Sequence, residues 1–185
     1  MKARGLEGHG RTVVLRRQPA RIVDGRDEDR VAGLLVLLYG QPLARIARLT
    51  RSQITRGPGQ VRLLLGTVPL DLPEPFGELA RRLLGRTHGR AAAARTEDQP
   101  WAFPGGAPGH PLSTAQLKAR LARLGIHGRS GRNTALMDLA AKLPPVALAR
   151  LLGIHISTAG AWAERASGSP AAYAAQVSRR PFSTF

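Results

Sequence analysis

The side chains best equipped to act on a partner in this chain are arginines. Lysine and arginine together number 28, and all but Lys2, Lys118 and Lys142 are arginine. A guanidinium stays charged at physiological pH, and its planar fork can hold two oxygens of one phosphate. Against 12 acidic residues the formal charge is +16, a balance that draws polyanions through counterion release whatever the fold. Nucleic acid is the expected partner. An anionic membrane is the competing surface, but the longest aliphatic run, Val31 to Tyr39, is sized for a core helix and is too short to span a bilayer. Arg45, Arg48 and Arg51 recur at three-residue spacing beside the apolar Leu43, Ile46, Ala47 and Leu49. They read as the outer face of a short helix, suited either to phosphate contact or to plain solvation.

Other constellations point away from covalent and metal chemistry. There is no cysteine, so disulfides, thiolate metal sites and cysteine nucleophiles are excluded. His88, His110 and His127 are scattered without metal-ligand spacing. Asp24, Asp27, Glu28 and Asp29 lie close together, but three of them open an apolar helical pattern, where negative charge complements the helix dipole. Gly105-Gly106-Ala107-Pro108-Gly109 lacks the Gly-Lys-Ser/Thr ending of a phosphate loop and reads as a turn. No cofactor, metal or small-molecule substrate is expected.

One segment has the spacing of a DNA-binding corner. Ala149-x-x-x-Gly153-Ile154-His155-Ile156-Ser157-Thr158-Ala159-x-x-Trp162 fits a helix-turn-helix. A small residue at 149 lets two helices approach, and Gly153 supplies a turn that needs positive φ. Ile154 and Ala159 plug the joint, Ser157 and Thr158 cap and open the second helix, and Trp162 packs inward. An ordinary helical hairpin shares the Ala-x-x-x-Gly spacing. The second helix offers Ser157, Thr158, Glu164 and Arg165 but no Asn or Gln, which favours contact with the backbone over sharp reading of bases.

These residues need a scaffold, and the pattern predicts one that is mainly α with a small antiparallel β-sheet. Residues 1–26 read as a basic, flexible arm carrying Arg4, Arg11, Arg16, Arg17, Arg21 and Arg26. A helical domain is expected over 27–167, with a β insertion near 53–72, and a tail over 168–185. Helix is predicted from Asp27 to Thr50 with a break at Gly40-Gln41-Pro42. Strands are predicted near Gln53–Thr55, Val61–Leu65 and Val68–Leu70, with Gly57-Pro58-Gly59 as a turn. Further helices are predicted over Phe76–Leu84, Ser113–Leu124, Arg132–Leu143, Val146–Leu152 and Ser157–Ala166, and a mobile loop over His88–Pro100. Trp101-Ala102-Phe103-Pro104 is expected to anchor in the core. Met1 to His9 has no apolar signal region, so the expected location is the cytoplasm, associated with the nucleoid.

Four phrases carry a resemblance: Leu38-Tyr39-Gly40-Gln41-Pro42, Trp101-Ala102-Phe103-Pro104-Gly105-Gly106, Gly131-Arg132-Asn133 and Leu151-Leu152-Gly153-Ile154-His155. With the order of elements over 27–167, they resemble the catalytic domain of tyrosine recombinases (phage integrases and related enzymes), in particular divergent integrase-like proteins of actinobacteria. The resemblance implies a recombinase-like helical core, binding to double-stranded DNA and possible self-association on it. The family's chemistry uses a tyrosine nucleophile, two arginines on the scissile phosphate, a hairpin lysine and two histidine-type residues. Pro42 stands at the first arginine's place, and Leu65-Gly66-Thr67-Val68 offers no amine. Arg132 keeps the second arginine, Arg129 replaces its histidine, and Asn133 follows. Ile154 takes the next histidine's place with His155 one position later, and Trp162 stands where the tyrosine belongs. The resemblance therefore implies DNA binding through Arg132, Arg129 and His155 without cleavage. Three alternatives stay open: a helix-turn-helix transcriptional regulator, an active integrase with a displaced nucleophile such as Tyr173, and a basic RNA-associated protein.

Overall fold

A computed structural model describes residues 25–57, 59–93 and 100–168 of the 185-residue chain, with side chains outside 86–93. The expected basic arm (1–26) and tail (168–185), Tyr173 among them, lie outside the described residues save for Gly25, Arg26 and Gly168. The architecture is mostly helical. Seven α-helices are described: α1 (Asp27–Tyr39), α2 (Leu43–Ala47), α3 (Phe76–Ala93), α4 (Thr114–Arg123), α5 (Gly128–Ala140), α6 (Pro145–Leu152) and α7 (Ile156–Ser167). Between α2 and α3 sits a three-stranded antiparallel sheet, β1 (Ile54–Arg56), β2 (Val61–Leu63) and β3 (Leu70–Asp71), in the order β1-β2-β3. Ile54 faces Leu63 across the first pair and Leu63 faces Leu70 across the second.

Helix α1 is the spine. Asp27, Glu28 and Asp29 fill its first turn. Its far end stops at Gly40, whose φ of 57° lies in the left-handed region that glycine adopts without strain. Val31, Leu34, Leu35 and Leu38 are buried on it, each worth roughly 1.5–3 kcal/mol of apolar burial. The helix packs against α3, α4 and α5, while α7 packs on α5 and α6. One apolar cluster runs from Val31 in α1 to Ala166 in α7. Phe103 and Ala102 enter it, and Trp101 bridges to Thr50 while its indole N–H donates to the Gly109 carbonyl at 2.9 Å.

Several boundaries differ from the sequence reading. Helix α3 runs on to Ala93, into the stretch expected to be a loop from His88. Helix α5 begins at Gly128 and ends at Ala140, earlier at both ends than the Arg132–Leu143 expectation. Two glycines near its start weaken helix propensity, but both sit where α5 touches its neighbours. A Cβ on Gly128 would lie 3.1 Å from Leu43 Cδ1, and one on Gly131 would lie 2.9 Å from Leu37 Cδ2. Tertiary contact decides there, and local preference yields to it. Helix α2 stops at Ala47, and Arg51 opens a separate 3-10 turn, Arg51–Gln53. Arg45, Arg48 and Arg51 therefore do not share one helix face.

Candidate nucleic-acid interface

Helices α6 and α7 meet across a three-residue turn. Pro144 caps α6 and Pro145 takes its first position, where a missing N–H costs nothing. Gly153 ends it at φ 63°, its N–H donating to the Ala149 carbonyl at 2.8 Å. Leu148, Leu152, Ala159, Trp162 and Ala166 are buried between the two helices and the rest of the core, and Ala149 and Ile154 are half-buried beside them. The cap of α7 differs from expectation. His155 is the N-cap, its Nδ1 accepting from the Ser157 N–H at 3.3 Å and lying 2.7 Å from the Ser157 hydroxyl. Ser157 and Thr158 are in the first helical turn, not in front of it.

The corner is locked from below by Arg45. Its Nη1 donates to the carbonyls of Leu152 at 2.7 Å and Gly153 at 3.1 Å, and its Nη2 donates to the Leu65 carbonyl. These are the carbonyls that the end of α6 and the end of β2 leave without helix or ladder partners. Burial pushes the Arg45 pKa below its ordinary value. The loop after β2 closes on the same turn. The Thr67 N–H donates to the Arg150 carbonyl at 2.8 Å, and a Cβ on Gly66 would stand 1.9 Å from that oxygen. Leu65-Gly66-Thr67-Val68 is thus held down on α6.

Helix α5 packs on α7 and α1, and its first turns lie against the α1–α2 junction. A Cβ on Gly40 would lie 3.2 Å from the Arg132 carbonyl oxygen, and Gly128 lies against Leu43 of α2. Gly40 brings Leu38–Pro42 against Gly131–Asn133, and Arg45, three residues beyond Pro42, ties α2 to Leu152 and Gly153 of the Leu151–His155 phrase. Pro42 is the exposed N-cap of α2, and Trp162 is buried with the Arg165 guanidinium 5.2 Å from its ring centroid. Arg132 is half-buried, and its Nε is buried without a hydrogen-bond partner.

Charge is distributed unevenly around this assembly. Asp27 is paired with Arg30 at 3.7 Å and Arg82 at 3.3 Å, and Glu28 and Asp29 with Arg120 at 3.2 and 3.5 Å. Asp71 holds Arg62 at 3.1 Å, while Glu74 and Glu78 hold Arg81. Among the described residues Arg26, Arg45, Arg48, Arg56, Lys118, Arg123, Arg129, Arg132, Lys142, Arg150 and Arg165 make no ion pair, and all of these but Arg45 and Arg132 are exposed. Arg129, Arg132, Arg150 and Arg165 are the ones on α5, α6 and α7. No protein-family model matches this chain, and a search of the curated proteins finds no match.

Of the residues singled out from sequence, Ala149, Gly153, Ser157, Thr158 and His155 form the corner itself. Arg129, Arg132, Arg48 and Arg165 make no ion pair, and Arg45 spends both terminal nitrogens on internal carbonyls. Arg150 was missed. The helical period marked it, since Leu148 and Leu152 point inward and Arg150 lies between them on the outer side of α6. The Arg45 clamp had no local signal, because its carbonyl partners on the corner lie 107 and 108 residues away. Among the described residues no group of three or more His, Asp or Glu side chains could hold a metal ion, and no helix is long and apolar enough to cross a membrane.

Proposed function

We propose that this chain binds double-stranded DNA through the α5–α6–α7 side and does not cleave it, as a degenerate relative of the tyrosine recombinases. The observation that carries the reading is the helix-turn-helix corner itself, whose two helices and the α5 helix packed on them carry arginines without ion pairs. Arg129 and Arg132 on α5, Arg150 on α6 and Arg165 on α7 make no ion pair and outnumber the two acids of these helices, Asp138 and Glu164, whereas Asp27, Glu28, Asp29, Asp71, Glu74 and Glu78 are paired elsewhere. Such groups gain free energy by replacing the counterions of a phosphate backbone. The family resemblance is supported by the contact of Leu38–Pro42 with Gly131–Asn133 and by the Arg45 tie from the following helix to Leu151–His155. The absence of cleavage rests on Trp162, since an indole cannot attack phosphorus, and on the amine-free Leu65–Val68 loop.

The test is a salt-titrated binding series on duplex DNA, single-stranded DNA and structured RNA. Duplex affinity should exceed the other two and fall steeply with salt. Arg129→Ala and Arg132→Ala should weaken binding to unrelated duplexes about equally and flatten the salt slope by about one each. Flat salt dependence, or preference for RNA, would refute the reading. A nicked suicide duplex tests the second half: no covalent adduct should form. A tyrosine-linked 3′-phosphate adduct would restore catalysis to the chain.

A further inference from the structure

The start of α1 and the end of α4 are tied together, and the tie sorts charge by depth. Glu28 and Asp29 pair with Arg120 of α4, and a Cβ on Gly25 would stand 3.2 Å from both Cδ atoms of Leu124. Asp27 pairs with Arg30 and Arg82. The side chains of Asp27, Glu28 and Asp29 are only 11%, 12% and 14% exposed. Arg26, Lys118 and Arg123 make no ion pair and are exposed. The acids are thus taken into the junction, and free cations are left on its surface. Helix α4 itself holds no acidic residue. It packs on α1 and α2 with Leu117 and Leu121 buried, and Ala115, Ala119 and Ala122, spaced four and three apart, are exposed along its outer side.

We infer that the outer face of α4, with Arg26 beside its last turn, is a second contact for the phosphate backbone of duplex DNA. The inference rests on the duplex-binding reading above and extends it to a surface outside α5–α7. The two surfaces are continuous in the chain: Arg123 ends α4, and Arg129 is the second residue of α5, after the turn over 124–127. Charge chooses the occupant. Exposed cations with their neighbouring acids turned inward gain free energy by displacing phosphate counterions. The alanines project only methyl groups, so a backbone can come close while Lys118 and Arg123 reach past them. A lipid surface or a protein partner would call for large apolar or aromatic anchors. The exposed large apolar residues of the described chain, Leu64, Val68, Val146 and Ile156, all lie elsewhere. Residues 1–24 join the core at this same junction and carry Lys2, Arg4, Arg11, Arg16, Arg17 and Arg21 against Glu7 and Asp24.

The experiment titrates salt against binding of the full chain to two unrelated duplexes. Arg26→Ala, Lys118→Ala, Arg123→Ala and the triple variant are compared with wild type, and thermal melts confirm that each folds. Each single change should flatten the salt slope by about one and the triple by about three, equally on both duplexes. Lys118→Arg and Arg123→Lys should keep the wild-type slope, which a packing role would not predict. Arg62→Ala serves as the control, because Asp71 holds that cation at 3.1 Å; its slope should stay at the wild-type value. Equal flattening by Arg62→Ala would overturn the inference, since net charge alone would then set the slope. A wild-type slope in the triple variant, with Arg129→Ala and Arg132→Ala still flattened, would sink this inference and leave the α5–α7 reading standing. Flattening by the triple variant but not by Arg129→Ala or Arg132→Ala would do the reverse. No duplex binding by wild type would sink both.

Discussion

At the scale of single residues, Arg45 shows how a cation can serve the fold before any partner. A guanidinium is charged, planar and many-handed, so one side chain can satisfy two carbonyls at the end of a helix and one in the loop after a strand. Removing it leaves the Leu65, Leu152 and Gly153 oxygens short of donors in a half-buried place. Arg45→Ala should lower the unfolding free energy by about 2–4 kcal/mol in urea titrations. Arg45→Lys should recover only part of this, since an ammonium cannot fork. A variant of wild-type stability with weakened DNA binding would return Arg45 to the set of phosphate contacts. Tyr39 gives a second residue-scale expectation. Burial raises its hydroxyl from 10.0 to about 12. The folded state therefore holds this proton more tightly than the unfolded chain. Stability from this group is complete below about pH 10 and drains away between about pH 10 and pH 12, by on the order of 2–3 kcal/mol. Tyr39→Phe should flatten that alkaline decline.

At the scale of elements, close approach of backbones sets the geometry of the corner. Gly66 and Gly153 let the loop after β2 lie directly on the end of α6, where an added Cβ would meet the Arg150 carbonyl and the Leu65 carbonyl at 2.4 Å or less. Gly66→Ala should destabilise the protein by about 2–4 kcal/mol, because the obstacle is main chain and cannot rotate away. Gly106→Ala, with nothing within 4 Å of the new atom, should stay within about 0.5 kcal/mol of wild type. Melting curves of the two variants separate a packing role from a general loss of chain flexibility. Local signals made many boundaries legible: the Ser113–Gln116 capping box before α4, Pro144-Pro145 before α6, and Gly153 after it. They failed for α5, where Gly128 and Gly131 look like helix breakers and are contact points with Leu43 and Leu37. They failed also at α7, where a histidine caps the helix in place of the expected serine.

For the whole molecule, the governing quantity is a charge of +16. The acidic groups of α1, α3 and β3 are matched with arginines from α1, α3, α4 and β2. The excess of +16 remains after all acids are counted, and it repels itself. Raising chloride salt from about 10 mM to about 300 mM shortens the screening length from roughly 30 Å to below 10 Å. That change should weaken long-range repulsion more than the ion pairs at 3.1 to 3.7 Å. The melting temperature should rise by a few degrees without any ligand. A fall would mean that the ion pairs outweigh the repulsion.

Sequence alone determined the class of partner to test, the mainly helical class with its small sheet, and the outline of the α6–α7 corner. Net charge, apolar period and turn residues are properties of the chain that survive any arrangement of it. It did not determine which arginines are free to meet a partner. Arg45, Arg48 and Arg82 are alike as letters, yet one holds carbonyls, one is unpaired and one is tied to Asp27. That assignment depends on atoms tens of residues to over a hundred residues apart, and only chain packing brings them within hydrogen-bonding reach.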